Sequence, residues 1–255
     1  MDIDSAGEVK PFNTRCTQCS IRRTSIFKNI AADDLDRVEL FRKGQIKIPV
    51  RSTIFLEGKA HQYVYTLFSG WAILYKKVGN SEKRQILQFL LPGDLLGYQT
   101  DASGNMPHSA ATLTEALLCV FPRENMSPML KENSNLSVRF IEMWSRDMSL
   151  CQNYLMAAGR KTARESITFL LLELYYRVKY QNPDSYSSSV NAIYFPITQE
   201  DIGDAVGLTK VHVNRVIKSL VDEKLIYCHK KKLAILNEKK LCEIAGYSTD
   251  VAVGA

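Results

Sequence analysis

The chain has 255 residues, of which 45% are hydrophobic and 24% charged, and carries a formal net charge of +6. That length supports two domains with real cores and no need of disulfide or metal staples, and the balance is that of an ordinary soluble protein. No stretch reaches the roughly 18 apolar residues of a membrane span, because ITFLLLELYY is interrupted by Glu173. The first residues, MDIDSAGEVK, are acidic and polar and read as a disordered leader to about residue 14, with no secretory signal. Six scattered cysteines suit a reducing cytoplasm better than a disulfide scaffold.

After the leader comes RCTQCSIRRTSIF, with Cys16 and Cys19 in CxxC spacing. A short amphipathic helix is expected from Ala32 to Phe41, with Leu35, Val38 and Leu40 as its apolar positions. From Gly44 to about Val120 the pattern changes. QIKIPV, STIFL, QYVYTLF, WAILYKKV and QILQFLL read as short strands, with turn signals at Gly58, Gly70, Gly79-Asn80 and Pro92-Gly93-Asp94. Short strands with such punctuation argue for a small β-barrel or jelly roll.

Beyond Pro122 the chain turns helical. A short segment around Glu124 to Lys131 precedes a longer helix, about Asn135 to Gly159. Phe140, Trp144, Met148, Cys151, Leu155 and Ala158 recur on it as an uncharged near-heptad seam. The seam can serve a second copy of the chain or the helix's own barrel. Ile141, Met143 and Leu150 add apolar groups off the seam, enough for both, and self-association is the favoured reading. Another helix follows from Thr162 to Tyr180, then a serine-rich polar loop at 181–192.

The segment ITQEDIGDAVGLTKVHVNRVIKSLVDEKLI, 197–226, reads as two helices about a glycine turn. Thr198 and Asp201 have capping-box spacing, and Thr209 caps the second helix. Val213, Val216, Ile217 and Leu220 form one buried stripe, while Val211, Asn214, Arg215 and Lys218 share the opposite face, with Lys210 and His212 in the first turn. An ordinary core hairpin is the plain alternative. Charge argues for a helix-turn-helix that meets nucleic acid: between Leu208 and Lys232 seven basic residues stand against two acids. YCHKKKLAIL then reads as a β-hairpin with Lys230, Lys231 and Lys232 at its tip, NEKKLCEIAGY as a short helix, and STDVAVGA as tail.

In this order, the parts resemble the Crp/Fnr family of bacterial transcription regulators over nearly the whole chain. LPGDLLGY (91–98) is similar to the family's sensor-barrel turn, LTKVHVNRVIKSL (208–220) to its recognition helix, and LCEIAGYSTDVA (241–252) to the tail of the FNR branch. The resemblance implies an α+β chain: a leader with CxxC (1–30), a cyclic-nucleotide-binding-like sensor barrel (31–123), a linker and dimerisation helix (124–160) and a winged helix-turn-helix domain (161–255). It implies a cytoplasmic homodimer that binds a palindromic promoter site in duplex DNA, contacts RNA polymerase and engages no membrane. Base reading would fall to Val211, Asn214 and Arg215, with Thr209, Lys210 and His212 at the entry. Phosphate contacts would fall to Lys218, Lys224, Lys230, Lys231 and Lys232. Val211 departs from a glutamate common in the family, which alters the half-site expected at one base pair.

For the sensed signal, the nucleotide-binding branch carries a glutamate after the turn and an arginine-serine pair before the next strand. Tyr98 and His108-Ser109 stand there, which argues against a cyclic nucleotide. The FNR branch holds an iron–sulfur cluster on four cysteines. Cys16, Cys19 and Cys119 match three, and Ser25 stands at the fourth. The preferred expectation is no cofactor. A cluster, a zinc site or redox-active thiols at Cys16, Cys19 and Cys119 is the alternative, and Cys119 also reads as a buried structural thiol. No Ser-His-acid set, metal-ligand cluster or phosphate loop is legible, and His61, His108, His212 and His229 are scattered, so an enzyme is not expected.

Overall fold

A computed structural model describes residues 14–79, 83–99, 104–181 and 191–248. The leader's first 13 residues, Asn80 of the Gly79-Asn80 turn, most of the serine-rich loop and the last seven residues lie outside them. The fold divides into two compact units, one built from residues up to 76 and 87–145, the other from 77–86 and the chain from 146 onward.

The first unit opens with a 3-10 turn at Cys16–Gln18 and helix α1 (Ala32–Phe41). Eight strands follow: β1 (Gly44–Ile48), β2 (Thr53–Phe55), β3 (Tyr63–Ser69), β4 (Ala72–Lys77), β5 (Arg84–Leu90), β6 (Leu95–Leu96), β7 (Ser109–Thr112) and β8 (Ala116–Pro122). They form two four-stranded sheets, ordered β1-β8-β3-β6 and β2-β7-β4-β5. The jelly-roll expectation is met by this pair of sheets, but not the closed barrel: the edge strands of one sheet make no ladder with those of the other. Side chains alternate across each strand, so one row of each sheet turns inward. Ile46, Tyr65, Leu67, Leu118 and Val120 from one sheet meet Ile54, Phe55, Leu90 and Ala110 from the other in a single apolar core.

The outer row of the first sheet is covered too. Val64, Cys119 and Phe121 pack against Cys16, Ile26, Phe27 and Ile30 of the N-terminal segment, Leu35 and Val38 of α1, and Met126 and Met129 of α2 (Arg123–Glu132). In α1 the third expected apolar position, Leu40, is 84% exposed. The stripe defined by Leu35 and Val38 continues to Phe41 instead, which packs against this second core.

Helix α3 (Ser134–Arg160) is 27 residues long. Leu136 and Met143 face the second core, and Phe140 packs against it, edge-on to Tyr98. Val138, Ile141, Trp144, Met148, Leu155 and Met156 are exposed, as are Cys151 and Ala158. The helix therefore carries a strip of exposed apolar side chains, with Phe140 at its boundary, stacked against Trp144.

In the second unit, helix α4 (Ala163–Gln181) is buried from Ser166 to Tyr175. Its one buried carboxylate, Glu173, accepts from Tyr154 Oη at 2.8 Å and Arg177 Nη1 at 3.2 Å. A charge in a dry site persists only when so paired. Strand β9 (Ile193–Tyr194), helices α5 (Gln199–Val206) and α6 (Lys210–Asp222), strands β10 (Ile226–His229) and β11 (Lys232–Ile235) and helix α7 (Glu238–Ala245) complete the chain. The three strands form one antiparallel sheet in the order β10-β11-β9. No described helix is long and apolar enough to cross a membrane.

Burial pushes the Cys16 thiol up to about 12 and the Cys119 thiol up to about 11. The thiolate is the reactive form, so both should be inert in the folded protein. With iodoacetamide at pH 8, Cys16 and Cys119 are expected to resist alkylation until denaturant is added. Peptide mass spectrometry of native and unfolded samples reads the difference.

Candidate nucleic-acid interface

Helix α5 begins at a complete capping box. Thr198 Oγ1 accepts from the Asp201 N–H at 3.2 Å, and Asp201 Oδ2 accepts from the Thr198 N–H at 2.9 Å and its hydroxyl at 2.7 Å. The buried carboxylate's other oxygen accepts from Arg84 at 3.0 Å, and the same guanidinium reaches Asp204 at 2.7 Å. The helix ends at Gly207, whose φ of +71° suits a residue without a Cβ.

The turn into α6 depends on a second glycine. A Cβ on Gly203 would lie 2.4 Å from the Leu208 carbonyl oxygen, so only glycine lets the chain pass this close. Leu208 N–H also donates to the Gly203 carbonyl at 3.0 Å. Helix α6 is capped by Thr209, whose side chain accepts from the His212 N–H at 3.3 Å. Its inner stripe, Val213, Val216, Ile217 and Leu220, is buried as the spacing requires. At the far end Arg164 forks onto both oxygens of Glu223, each at 2.7 Å, and reaches Ser219 at 2.8 Å. This fork holds the Glu223 carboxyl down to about 2, so the acid beside the helix terminus is matched by a cation.

The opposite face of α6 is open. Lys210, Val211, His212, Asn214, Arg215 and Lys218 are all exposed, Val211 at 71%. Asn214 Nδ2 donates to Gln199 Oε1 of α5 at 3.0 Å. The side chains of Arg215, Lys210 and Lys218 have no hydrogen-bond or ion-pair partner among the described residues. Lys224 follows with a φ of +57°, closing the helix in a conformation usually left to glycine.

The hairpin pairs Ile226 with Ile235 and closes at His229 opposite Lys232. Its tip is therefore Lys230-Lys231, with φ of +47° and +59°. A two-residue turn with both residues left-handed matches the twist of the strands, but Asn-Gly is the usual choice. Two lysines here hold costly backbone on the surface, where nothing packs against them. The sequence marks Lys230 and Lys231 as the basic tip but not their left-handed backbone, and for Gly203 the one available signal is a glycine inside a helical pattern.

The thiol positions lie in the first unit. Cys16 Sγ accepts from Arg42 Nη1 at 3.0 Å, and Cys119 Sγ from Gln45 Nε2 at 3.5 Å. Ser25 is buried, its hydroxyl donating to the Arg22 carbonyl and accepting from the Phe27 N–H, both at 3.2 Å. Among the described residues no group of three His, Cys, Asp or Glu side chains is placed to hold a metal ion. A four-iron cluster needs four thiolates. Ser25, buried and engaged in its own turn, stands where the fourth thiolate would be needed, so the residues present do not supply that set. The positions that matter for a cyclic nucleotide are occupied as well. Tyr98 stacks edge-on against Phe140, and Ser109 Oγ accepts from the Glu57 N–H at 3.0 Å. Burial, with Lys76 nearby, lowers the His108 pKa, leaving a neutral imidazole where a phosphate would need a cation.

Comparison with known proteins follows the same division. Residues 45–133 match the cyclic nucleotide-binding domain model and residues 166–244 the Crp-like helix-turn-helix domain model. The transcriptional activatory protein AadR of Rhodopseudomonas palustris is 28% identical over 233 residues, covering 91% of this chain and 93% of that protein. The fumarate and nitrate reduction regulatory protein of Escherichia coli is 24% identical over 93% of this chain and 92% of its own. The structure of FixK2 from Bradyrhizobium japonicum superposes with a TM-score of 0.70 at 21% identity, covering 80% of this chain and 98% of that one. With a nucleotide-binding-like sandwich, a long helix and a capped helix-turn-helix in this order, the chain belongs to the Crp/Fnr family of transcription regulators and is not an enzyme.

Proposed function

We propose that the chain acts in the cytoplasm as a homodimer, which lays its two copies of α6 into successive major grooves of a palindromic promoter site. The observation that carries this is the face of α6: an exposed, capped and unpaired row of Lys210, Arg215 and Lys218 opposite a dry stripe. Arg215 is the group for a bidentate contact to guanine, and Asn214 lies beside it. Val211 cannot accept a hydrogen bond and packs on a thymine methyl. Lys218, Lys224 and the 230–232 lysines meet phosphates, with Thr209, Lys210 and His212 at the entry. The exposed strip on α3, including Trp144, Met148, Cys151 and Leu155, is covered by the same strip of a second copy, with Phe140 and Ala158 at its margins. That pairing sets the two reading heads about one helical turn apart. The regulator works without a bound cluster or nucleotide, as the engaged Ser25, Cys16, Cys119 and His108 suggest. Several of its relatives are transcriptional activators, which supports activation as its role, with RNA polymerase as the expected partner.

Arg215→Ala is expected to cost about 1–3 kcal/mol of DNA binding and to relax choice at one base pair. Fluorescence anisotropy on duplexes varied at each position measures both. Selection from random DNA should return a half-site that differs from the family's at the pair under Val211, and Val211→Glu should move that preference towards cytosine. An unchanged family consensus with wild-type protein would refute the assignment. Leu155→Asp, placing a charge on a site that is 74% exposed in one copy, should leave the fold intact and yield monomers. Sedimentation velocity reads the change, and a variant that stays dimeric would remove α3 from the interface.

A further inference from the structure

Two amides meet where α5 crosses α6. The capping box of Thr198 and Asp201 starts α5 at Gln199, its first helical residue. The close pass of Gly203 at Leu208 fixes how near the two helices lie. The first turn of α5 then stands beside the second turn of α6, where Asn214 Nδ2 donates to Gln199 Oε1 at 3.0 Å. Asn214 is exposed on the open face of α6, and Gln199 is half-buried. Val211, Asn214 and Arg215 are the three residues given to base reading. Of these three, only the Asn214 side chain has a hydrogen-bond partner among the described residues. A side chain held before its ligand arrives has less freedom to lose on binding.

The bond also decides what Asn214 has left to offer. An asparagine amide carries two N–H donors and one oxygen acceptor. Gln199 takes one N–H, so Asn214 keeps one donor and its Oδ1, side by side on one planar group. Adenine presents the complement in the major groove, with N7 accepting and the N6 amino group donating. Guanine presents two acceptors, N7 and O6, and would set an oxygen against Oδ1. Cytosine and thymine each present a single polar group there, so neither fills both places. An amide without a partner turns readily about its last bond and trades its oxygen for its nitrogen. Turned so with Gln199 in place, Asn214 would set Oδ1 against Oε1, two acceptors with no proton between them.

We propose that Gln199 sets base choice through Asn214: by holding one N–H of that amide it leaves a donor beside an acceptor, and the pair selects adenine at one position of each half-site. The proposal rests on the reading of α6 given above. It brings α5 into base selection, which the outer face of α6 does not carry alone. Gln199 is a positioning residue, acting on the base through Asn214. Asn214 makes the bidentate contact, with its remaining N–H donating to N7 and Oδ1 accepting from the N6 amino group.

The test uses the full-length protein and a set of duplexes in which each pair of the selected half-site is varied through all four bases, with affinity read by fluorescence anisotropy. Wild-type protein should prefer adenine at one pair, and Asn214→Ala, by losing that preference and no other, marks which pair it is. Gln199→Ala should lower the preference for adenine there by about 2- to 10-fold, the worth of one neutral hydrogen bond, and leave choice at every other pair as it was. Gln199→Glu keeps an oxygen acceptor and offers no donor. It should retain the preference, although its charge weakens binding to every duplex. In the Asn214→Ala background, Gln199→Ala should have no further effect on choice. If Asn214→Ala marks no pair, if the marked base is not adenine, or if Gln199→Glu loses the preference, the assignment is overturned. Equal weakening of all four duplexes by Gln199→Ala, or no change in any, overturns it as well. In each case Arg215→Ala still weakening the selected site leaves the reading of α6 standing. If Arg215→Ala leaves binding intact, the reading of α6 fails and the role of Gln199 falls with it.

Discussion

Helix α6 can hold Arg215 out to solvent only because its opposite side is dry. Val213 and Leu220 are fully buried, and Val216 and Ile217 nearly so. Burying such side chains is worth roughly 1.5–3 kcal/mol each against leaving them exposed. The helix therefore has one rotational setting about its axis, and the polar residues go where that setting sends them. A reader of base edges needs this more than strength of binding, because a hydrogen bond to a base edge tolerates little angular error. The approach of Gly203 to Leu208 adds the second constraint by fixing how closely α5 crosses α6.

The second unit uses one device twice for a buried charge: the carboxylate is wrapped by donors before it is taken out of water. Asp201 closes the cap of α5 while holding Arg84, and Glu173 holds Tyr154 and Arg177. Removing one partner of such a set leaves the other stranded, which costs more than the pair contributes. Cys16 and Cys119 follow a related rule. Each sulfur has a donor, and burial among apolar neighbours keeps the proton on it.

Much of the fold was legible because its signals are local. The capping box at Thr198 and Asp201, the cap at Thr209 and the stripe on α6 all act within one or two turns of helix. The strands of the sandwich showed themselves by β-branched runs between glycines. What stayed hidden depends on residues far apart in sequence. The pairing of β9 with β11 joins positions nearly forty residues apart, and β9 is only Ile193–Tyr194, too short to show a period. Arg164 and Glu223 are oppositely charged, but nothing in the sequence says that α4 and α6 bring them together. Phe140 fits a heptad seam by spacing, yet its ring meets Tyr98, a contact that periodicity cannot express. Leu40 erred the other way: it is apolar, but Phe41 supplies the buried contact.

The lysine tip of the hairpin carries a consequence for anyone who tries to make the protein hardier. Left-handed backbone at two non-glycine residues costs on the order of 1–3 kcal/mol each, and Asn-Gly would relieve it. A screen for heat resistance alone would favour that replacement, since natural chains sit below their stability optimum where activity requires it. The survivors would be sturdier and, on the function proposed above, would grip DNA less well, having lost two charges at the hairpin tip. On that reading stability and occupancy of the promoter pull against each other at Lys230 and Lys231, and the left-handed lysines are the mark of a chain that favours occupancy.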